Sequence, residues 1–172
     1  MDPREQNELA DYYSQIVDHD DWMLNPSIFT WLDTVWGPHT VDRFANVANA
    51  QLQRFNSRFW SPGSEAVDAF TCAWTEEINW WCPPVHLVPR VFRHAQNTRA
   101  NGTLIIPQWL SSPFWPLLFP DGFTPADFVV GVIELPNCDT LILSGQSSAN
   151  LFKGLPNTPV LALRLAFDDP SI

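Results

Sequence analysis

Three short apolar runs of this sequence each end in residues that could carry out chemistry. Asp42 follows HTV, the segment Cys82–Pro83–Pro84–Val85 follows INWW, and Pro107–Gln108–Trp109 follows TLII. The Asp42 carboxylate could bind a ligand or could cap the turn that follows it. The Cys82 thiol could act as a nucleophile or could pack as a small buried apolar side chain. Because ligands of open α/β sheets bind at the carboxyl ends of parallel strands, these three ends form the candidate site.

Helices and strands that alternate along the chain must hold these residues in place. One helix is predicted after the cap residue Asn25 and the first-turn residue Pro26, with its end at Gly37. Further helices are predicted over Ala48–Phe55, over Arg90–Ala100 with its end at Asn101–Gly102, and as a short turn within Ser111–Phe119.

Apolar and β-branched runs predict the strands. The expected strands are His39–Phe44, Phe59–Trp60, Ile78–Cys82, Thr103–Ile106, Phe128–Leu135, Thr140–Leu143 and Val160–Phe167. The turn through Pro136–Asp139 is expected to join two of them, Phe128–Leu135 and Thr140–Leu143, as a hairpin. The order of elements predicts an α/β fold with a mostly parallel sheet and antiparallel C-terminal strands.

Composition limits the class of protein. The chain has 172 residues, of which 45% are hydrophobic and 16% charged, so a globular domain is expected rather than a disordered chain. A net charge of −10 disfavours non-specific binding to nucleic acid, because that affinity depends on basic contacts to phosphates. The three cysteines form no CxxC pair, which argues against a disulfide scaffold or a zinc ribbon. With no run of about 20 apolar residues, we expect an intracellular protein, nuclear or cytoplasmic, without a membrane partner.

A set of motifs in this order resembles the DNA adenine methyltransferases of the Dam-like branch. The residues that carry the resemblance are Trp22 and Pro26, Asp42 with Ala45 and Asn49, Asp68 with Trp74, the turn Cys82–Pro83–Pro84–Val85, and the strand that follows Ala100. The resemblance implies a Rossmann-like, class I methyltransferase-type sandwich of three layers.

The chain is also similar, over nearly its whole length, to a segment of DIRS-like (tyrosine-recombinase) retrotransposon polyproteins. In those polyproteins a methyltransferase-like domain follows reverse transcriptase and ribonuclease H. The similar runs are, in order, NELADYYSQ, DDWMLNPSIF, WGPHTVDRFA, RFNSRFW, EAVDAFT, PPVHLVPRVFRHA and GTLIIPQW. The retrotransposon resemblance implies that residues 1–21 are a remnant of the ribonuclease H C-terminal helix with a linker, and that residues 22–172 are the methyltransferase-like domain.

The resemblance implies roles for particular residues. Those that match the family's Asn-Pro-Pro-Tyr turn, which holds and stacks the target adenine, are Cys82, Pro83, Pro84 and Val85. Those that match its site for S-adenosylmethionine, the one cofactor it implies, are Asp42, Ala45 and Asp68. Candidates for contact with nucleic acid are Arg90 and Arg93. Asp11 matches a ribonuclease H metal ligand, but one carboxylate cannot assemble a two-metal site, so no metal is expected.

The sequence departs from the methyltransferase pattern at the positions that matter most for catalysis. The sulfur of Cys82 is a weak hydrogen-bond acceptor, and Val85 cannot stack on a base. We therefore expect a retrotransposon-derived domain that has lost catalysis and acts, if at all, through contacts to protein or to nucleic acid. Its partners would be DNA, weakly bound, or other parts of a retroelement polyprotein. One alternative is an active S-adenosylmethionine-dependent DNA adenine methyltransferase; another is a polyprotein fragment with no activity alone.

Overall fold

The computed structural model describes residues 23–138, 140–143 and 158–167. Its helices are α1 (Pro26–Trp36), α2 (Val88–Thr98) and the short α3 (Trp115–Leu118), with 3₁₀ turns at Ala69–Thr71 and Val85–Leu87. Its strands are β1 (Met23–Leu24), β2 (Val41–Asp42), β3 (Asn56–Ser57), β4 (Ala66–Val67), β5 (Ile78–Trp81), β6 (Asn101–Pro107), β7 (Val129–Glu134), β8 (Ile142–Leu143) and β9 (Val160–Ala166). The expected ribonuclease H remnant over residues 1–21, with Asp11, and the motif residue Trp22 lie outside the described residues.

A five-stranded sheet in the order β2-β5-β6-β9-β7 forms the centre of the molecule. Strands β2, β5 and β6 are parallel to one another. Strand β9 is antiparallel to both of its neighbours, so β7 runs in the same direction as the first three strands. The prediction of a mixed α/β fold with a mostly parallel sheet is therefore confirmed.

Long helices lie on both faces of this sheet, because its central strands are apolar on both sides. Leu104 and Ile106 of β6 pack on one face, in a core to which α2 contributes Val88, Val91, Phe92 and Ala95. Ile105, which alternates with them, packs on the other face with Phe29 and Leu32 of α1. The expected cap of α1 is present, because the Asn25 side chain accepts a hydrogen bond from the Ser27 backbone N–H at 2.9 Å.

The parallel pair β3–β4 lies alongside β2 at the edge of the sheet. A bridge joins Asp42 to Phe55, and the Ala45 backbone N–H donates to the Asn56 carbonyl at 3.0 Å. On the far side, the Asp68 N–H donates to the Ser57 carbonyl at 2.7 Å. The loops that follow β2, β3 and β4 consequently leave the sheet at the same edge as the loop that follows β5.

The helix predicted over Ala48–Phe55 is wrong; the chain forms turns and bends there. The Asn46 side chain accepts a hydrogen bond from the Ala48 N–H at 2.8 Å, and the Asn49 side chain accepts one from the Asn46 N–H at 2.7 Å. Asparagine side chains that satisfy nearby backbone groups in this way compete with helical hydrogen bonds. Local polar contacts of the asparagine side chains therefore replace the expected helix.

The hairpin predicted between Phe128–Leu135 and Thr140–Leu143 is also wrong. Strand β7 pairs with β9 instead, and β8 pairs antiparallel with β1. The long apolar strand β9 offers β7 a partner at the centre of the sheet. The Thr140–Leu143 segment is held by the start of α1, where Asn25 donates from its backbone N–H to the Leu141 carbonyl at 2.7 Å and from its side chain to the Thr140 carbonyl at 2.9 Å.

Three shorter elements differ from the prediction. The first parallel strand is confined to Val41–Asp42. Phe59 and Trp60 lie outside any strand, with 72% and 79% of their surface exposed. Helix α2 ends at Thr98, because Arg99 takes a left-handed conformation with φ of 52°, and Asn101–Gly102 begin β6. In each case the end of an element depends on a neighbouring strand or turn that the local sequence does not specify.

Candidate functional site

Asp42 lies at the carboxyl end of β2 and is almost completely buried, with 2% of its surface exposed. Its carboxylate accepts a hydrogen bond from the Gln51 backbone N–H at 3.0 Å and a longer one from the Phe44 N–H at 3.4 Å. None of the ion pairs among the described residues includes Asp42. Because burial disfavours the charged form, the pKa of Asp42 is raised to about 7. In this structure Asp42 therefore caps the loop that follows its own strand.

The side chain of Gln51 closes the loop over Asp42. Its Nε2 donates a hydrogen bond to the Leu24 carbonyl at 2.6 Å, which ties the loop to the short strand β1. The same residue thus contacts Asp42 through its backbone and β1 through its side chain. This double contact accounts for the low exposure of the Asp42 carboxylate.

Cys82 follows β5 directly and is buried on the same face of the sheet as Asp42. Asp42 pairs in parallel register with Trp80, and Cys82 lies two residues beyond Trp80, so the two side chains point the same way. Burial raises the pKa of the Cys82 thiol, and the nearby Asp42 raises it further. A thiol held neutral in this way is neither an activated nucleophile nor a good hydrogen-bond acceptor.

The rest of the Pro-Pro segment leads the chain from β5 into α2. Pro83 is buried, while Pro84 and Val85 are half-buried. Val85–Leu87 form the 3₁₀ turn that precedes α2. The structure therefore brings Asp42 and Cys82 together at one edge and places the remaining residues of the motif just beyond them.

The other two residues matched to the cofactor site lie apart from the Asp42 carboxylate. Asp68 is exposed with φ of 66°, and its carboxylate accepts a hydrogen bond from the Phe70 N–H at 3.0 Å, which caps the 3₁₀ turn. Ala45 is half-buried and contributes its backbone N–H to the Asn56 carbonyl. In these contacts Asp68 and Ala45 stabilise the loops at the edge of the sheet.

The arginines of the central region do not form a continuous basic groove. Arg90 and Arg93 are exposed on α2, and the Arg90 guanidinium stacks over the Phe70 ring at 3.9 Å. Arg54 pairs with Glu65 at 3.1 Å and with Glu77 at 3.0 Å. Arg43 is buried on the opposite face from Asp42. Only part of the arginine set is therefore available for a nucleic acid.

Asn79 lies three residues before Cys82 in the strand, so its side chain is expected on the other face of the sheet, where it cannot replace the acceptor that Cys82 lacks. Its side-chain oxygen accepts from Arg43 Nε at 2.8 Å, and its Nδ2 donates to the carbonyls of Trp74 and Asn101 at 3.0 and 2.8 Å. Asn79 therefore supports the buried Arg43 guanidinium on the far face of the sheet.

A second polar cluster extends from the amino edge of the sheet to Thr103, which lies in one register row with Trp80 and Asp42, and it was not predicted from the sequence. His39 is buried just before β2, and its Nδ1 lies 2.7 Å from Asp33 Oδ1 at the end of α1. Its Nε2 lies 2.7 Å from the Thr103 hydroxyl in β6. Burial lowers the pKa of His39, although Asp33 acts in the opposite direction. The three residues come from separate segments, so no local motif could have revealed their contact.

A small open cavity adjoins this second cluster. Its wall includes Thr103, Trp36, Asn101 and Arg164. Arg164 of β9 is exposed and stands directly opposite Thr103 in the register of β6 and β9. The cavity therefore combines a hydroxyl linked to His39 with a cationic side chain.

The described residues contain no group of three or more His, Cys, Asp or Glu side chains placed to hold a metal ion. Within the same ranges, no helix is both long enough and apolar enough to cross a membrane. No family model matches the chain, and no match is found among the curated proteins.

Proposed function

We propose that the chain is a retrotransposon-derived, methyltransferase-like domain that has lost catalysis and acts, if at all, through contacts to protein or nucleic acid. The observation that carries this proposal is the buried, neutral Cys82 thiol at the head of the Pro-Pro segment. An adenine amino nitrogen is a poor nucleophile, because its lone pair is delocalised into the ring. Methylation therefore requires acceptors for its hydrogens and a surface on which the extruded base can stack.

Neither requirement is met by the side chains at this position. The Cys82 sulfur is a weak acceptor, and Val85 has no aromatic face. Asn79 cannot act in place of Cys82, because it is held by Arg43 on the other face of the sheet. The Pro83 carbonyl is retained whatever the side chains are, because it belongs to the backbone.

The cofactor side supports the same proposal. The Asp42 carboxylate already accepts two backbone hydrogen bonds, and the Gln51 loop covers it. A ribose could reach this carboxylate only if the contact between Gln51 and Leu24 were broken. Asp42 thus lies where an open α/β sheet binds its ligand, but the Gln51 loop covers its carboxylate.

The fold supports the assignment to a methyltransferase-like domain. The resemblance implies a three-layer sandwich with a mostly parallel sheet and antiparallel C-terminal strands. The chain has helices on both faces of a mostly parallel sheet, and its last strand, β9, is the reversed one. Asp42 and Cys82 lie at the carboxyl edge, where such folds bind ligands.

Exposed apolar residues at the same edge support a role in contacts to a partner. Phe59 and Trp60 follow β3 and have 72% and 79% of their surface exposed. Val47 is 59% exposed, and its N–H donates to the Ser61 hydroxyl at 2.9 Å, which places it beside them. Apolar side chains grouped in this way on a surface are typical of interaction sites.

The proposal is tested by calorimetric titration of the folded chain with S-adenosylmethionine, followed by a methylation assay on adenine-containing DNA. We expect no binding at millimolar cofactor and no methyl transfer. The matched variant is Asp42→Asn, which keeps the size of the side chain while removing its charge. Micromolar binding that Asp42→Asn abolishes, together with methyl transfer, would replace this proposal with that of an active adenine methyltransferase.

A further inference from the structure

We infer that Thr103, His39 and Asp33 form a nucleophilic site, in which the Thr103 hydroxyl accepts the acyl group of a small ester that enters the adjacent cavity. This inference does not depend on the methyltransferase proposal, since it uses none of the residues that the methyltransferase resemblance assigns to a site. The arrangement of Thr103, His39 and Asp33 is the same whether or not a ligand binds near Asp42.

The hydrogen bonds define the direction in which a proton would move. Asp33 Oδ1 lies 2.7 Å from His39 Nδ1 and also accepts the His39 backbone N–H at 2.7 Å. Because a carboxylate accepts and cannot donate, Nδ1 carries the hydrogen. Nε2 then has a free lone pair and accepts the Thr103 hydroxyl proton, across 2.7 Å. The geometry is that of a hydroxyl, a general base and a group that orients the base.

The packing around His39 fixes the orientation of the imidazole ring. The Phe29 and Trp80 rings lie 5.9 and 5.2 Å from it, centre to centre. Asp33 holds the ring from the end of α1, so that Nε2 remains aimed at β6. An imidazole held in this way requires little reorganisation when it accepts a proton.

The cavity beside Thr103 supplies the place for an acyl group. Thr103 lines it, and Arg164, which faces Thr103 across the β6–β9 register, lines it too. A guanidinium beside a reacting carbonyl stabilises the negative charge that develops on its oxygen. Because only 1% of the Thr103 surface is exposed, an ester has to approach the hydroxyl through this cavity, and the confined space favours a small acyl group such as acetyl.

The proposed step conserves atoms and charge. Thr103 Oγ1 forms a bond to the carbonyl carbon of an aryl ester while its proton passes to His39 Nε2. The bond between that carbon and the aryl oxygen then breaks, and the departing oxygen takes the proton from His39. The products are acetyl-Thr103 and a phenol. Water then bonds to the acetyl carbon while His39 Nε2 takes its proton, the bond from that carbon to Thr103 Oγ1 breaks, Oγ1 takes the proton back from His39, and acetic acid leaves.

The test uses p-nitrophenyl acetate and the full chain with Cys72→Ser and Cys138→Ser, since these two thiols are the ones that are not buried. Release of p-nitrophenol is followed by absorbance, and the acetylated residue is located by peptide mass spectrometry. We expect acetylation at Thr103. Thr103→Val should abolish acetylation at this position and slow the release of p-nitrophenol by about 100-fold or more, because it removes the nucleophile but keeps the shape of the side chain.

Two further variants separate catalysis from damage to the fold. Thr103→Ser keeps the hydroxyl and should retain acetylation, whereas Thr40→Val should leave the rate unchanged. Thr40 is the matched control, because its hydroxyl is bonded to Glu77 and not to a histidine. Each variant is shown to be folded by circular dichroism. Absence of acetyl-Thr103 in the folded parent chain, or equal rates for Thr103→Val and Thr40→Val, would overturn the inference.

Discussion

Two polar clusters lie on the same face of the central sheet, one at its carboxyl edge and one that extends from its amino edge to Thr103 of β6. At the carboxyl edge, Asp42 and Cys82 are buried, and neither forms an ion pair with any residue that the structure describes. At the amino edge, Asp33 and Thr103 are joined through His39 by two hydrogen bonds of 2.7 Å. Trp80 contacts His39 and pairs in register with Asp42, so one strand supports both clusters.

The comparison shows that position in a fold and chemical competence are separate properties. The carboxyl edge is where an open α/β sheet presents its ligand site, yet its carboxylate only caps a loop. The amino edge has no such expected role, yet its side chains are arranged for proton transfer. The two acids differ in burial and in partners: among the described residues the buried Asp42 accepts from backbone N–H groups, whereas the half-buried Asp33 also contacts the His39 side chain.

The largest expected effect comes from removal of the histidine at the amino edge. His39→Ala leaves Asp33 and Thr103 without their shared partner and opens a void beneath Phe29. We expect the free energy of unfolding to fall by about 3 kcal/mol, because buried polar groups left unpaired are costly. Urea unfolding followed by tryptophan fluorescence measures this change. The control, His86→Ala, replaces an exposed histidine and should lower the free energy of unfolding by much less than His39→Ala does. Similar losses in both variants would contradict the comparison.

The next effect distinguishes the two clusters by their dependence on pH. Because the pKa of Asp42 is raised from 3.8 to about 7, the folded chain keeps a proton that the unfolded chain releases. The stabilisation from this retained proton is fully present below pH 3.8. As the pH rises from 3.8 to about 7 the stabilisation is lost, and the free energy of unfolding falls by about 1.4 kcal/mol per pH unit. His39 acts in the opposite direction, since its pKa is lowered from 6.5 and its contribution is lost as the pH falls below that value.

Asp42→Asn separates these two contributions. At pH 8 it should raise the free energy of unfolding by about 2 kcal/mol, because relief of the buried charge exceeds the loss of one carboxylate acceptor. In this variant the free energy of unfolding should rise with pH between pH 4 and 7, because the contribution of the neutral His39 is restored over that range. Denaturant unfolding at a series of pH values measures both quantities. If the free energy of unfolding of Asp42→Asn falls with pH as much as that of the parent chain, the burial of Asp42 is not the cause of the pH dependence.

The smallest expected effect concerns the exposed surface of the carboxyl edge. Trp60→Ser should change the free energy of unfolding by no more than about 0.5 kcal/mol, because 79% of the side chain is already exposed. Trp80→Ser, at a fully packed position of β5, serves as the contrast and should prevent stable folding. Thermal unfolding of the two variants provides the measurement. A large loss of stability in Trp60→Ser would mean that this surface supports the fold rather than a partner.

Much of the secondary structure follows from residues that act locally. The Asn25 cap, Pro26 and Gly37 define α1, and the apolar runs before Cys82 and Pro107 become β5 and β6. These predictions succeed because a cap, a proline or an apolar run acts on its own segment. The helix over Ala48–Phe55 fails for a related reason, since asparagine side chains near its start bind the backbone in a way that apolar periodicity does not reveal.

The sequence by itself determined the α/β class, the ends of α1 and the edge at which Asp42 and Cys82 meet. Only the tertiary structure decided that β7 pairs with β9 rather than with β8, and that Gln51 closes over Asp42. Only the tertiary structure also joined Asp33, His39 and Thr103. The physical reason is that strand pairing and buried polar contacts join segments far apart in the chain, so competition among all available partners selects them.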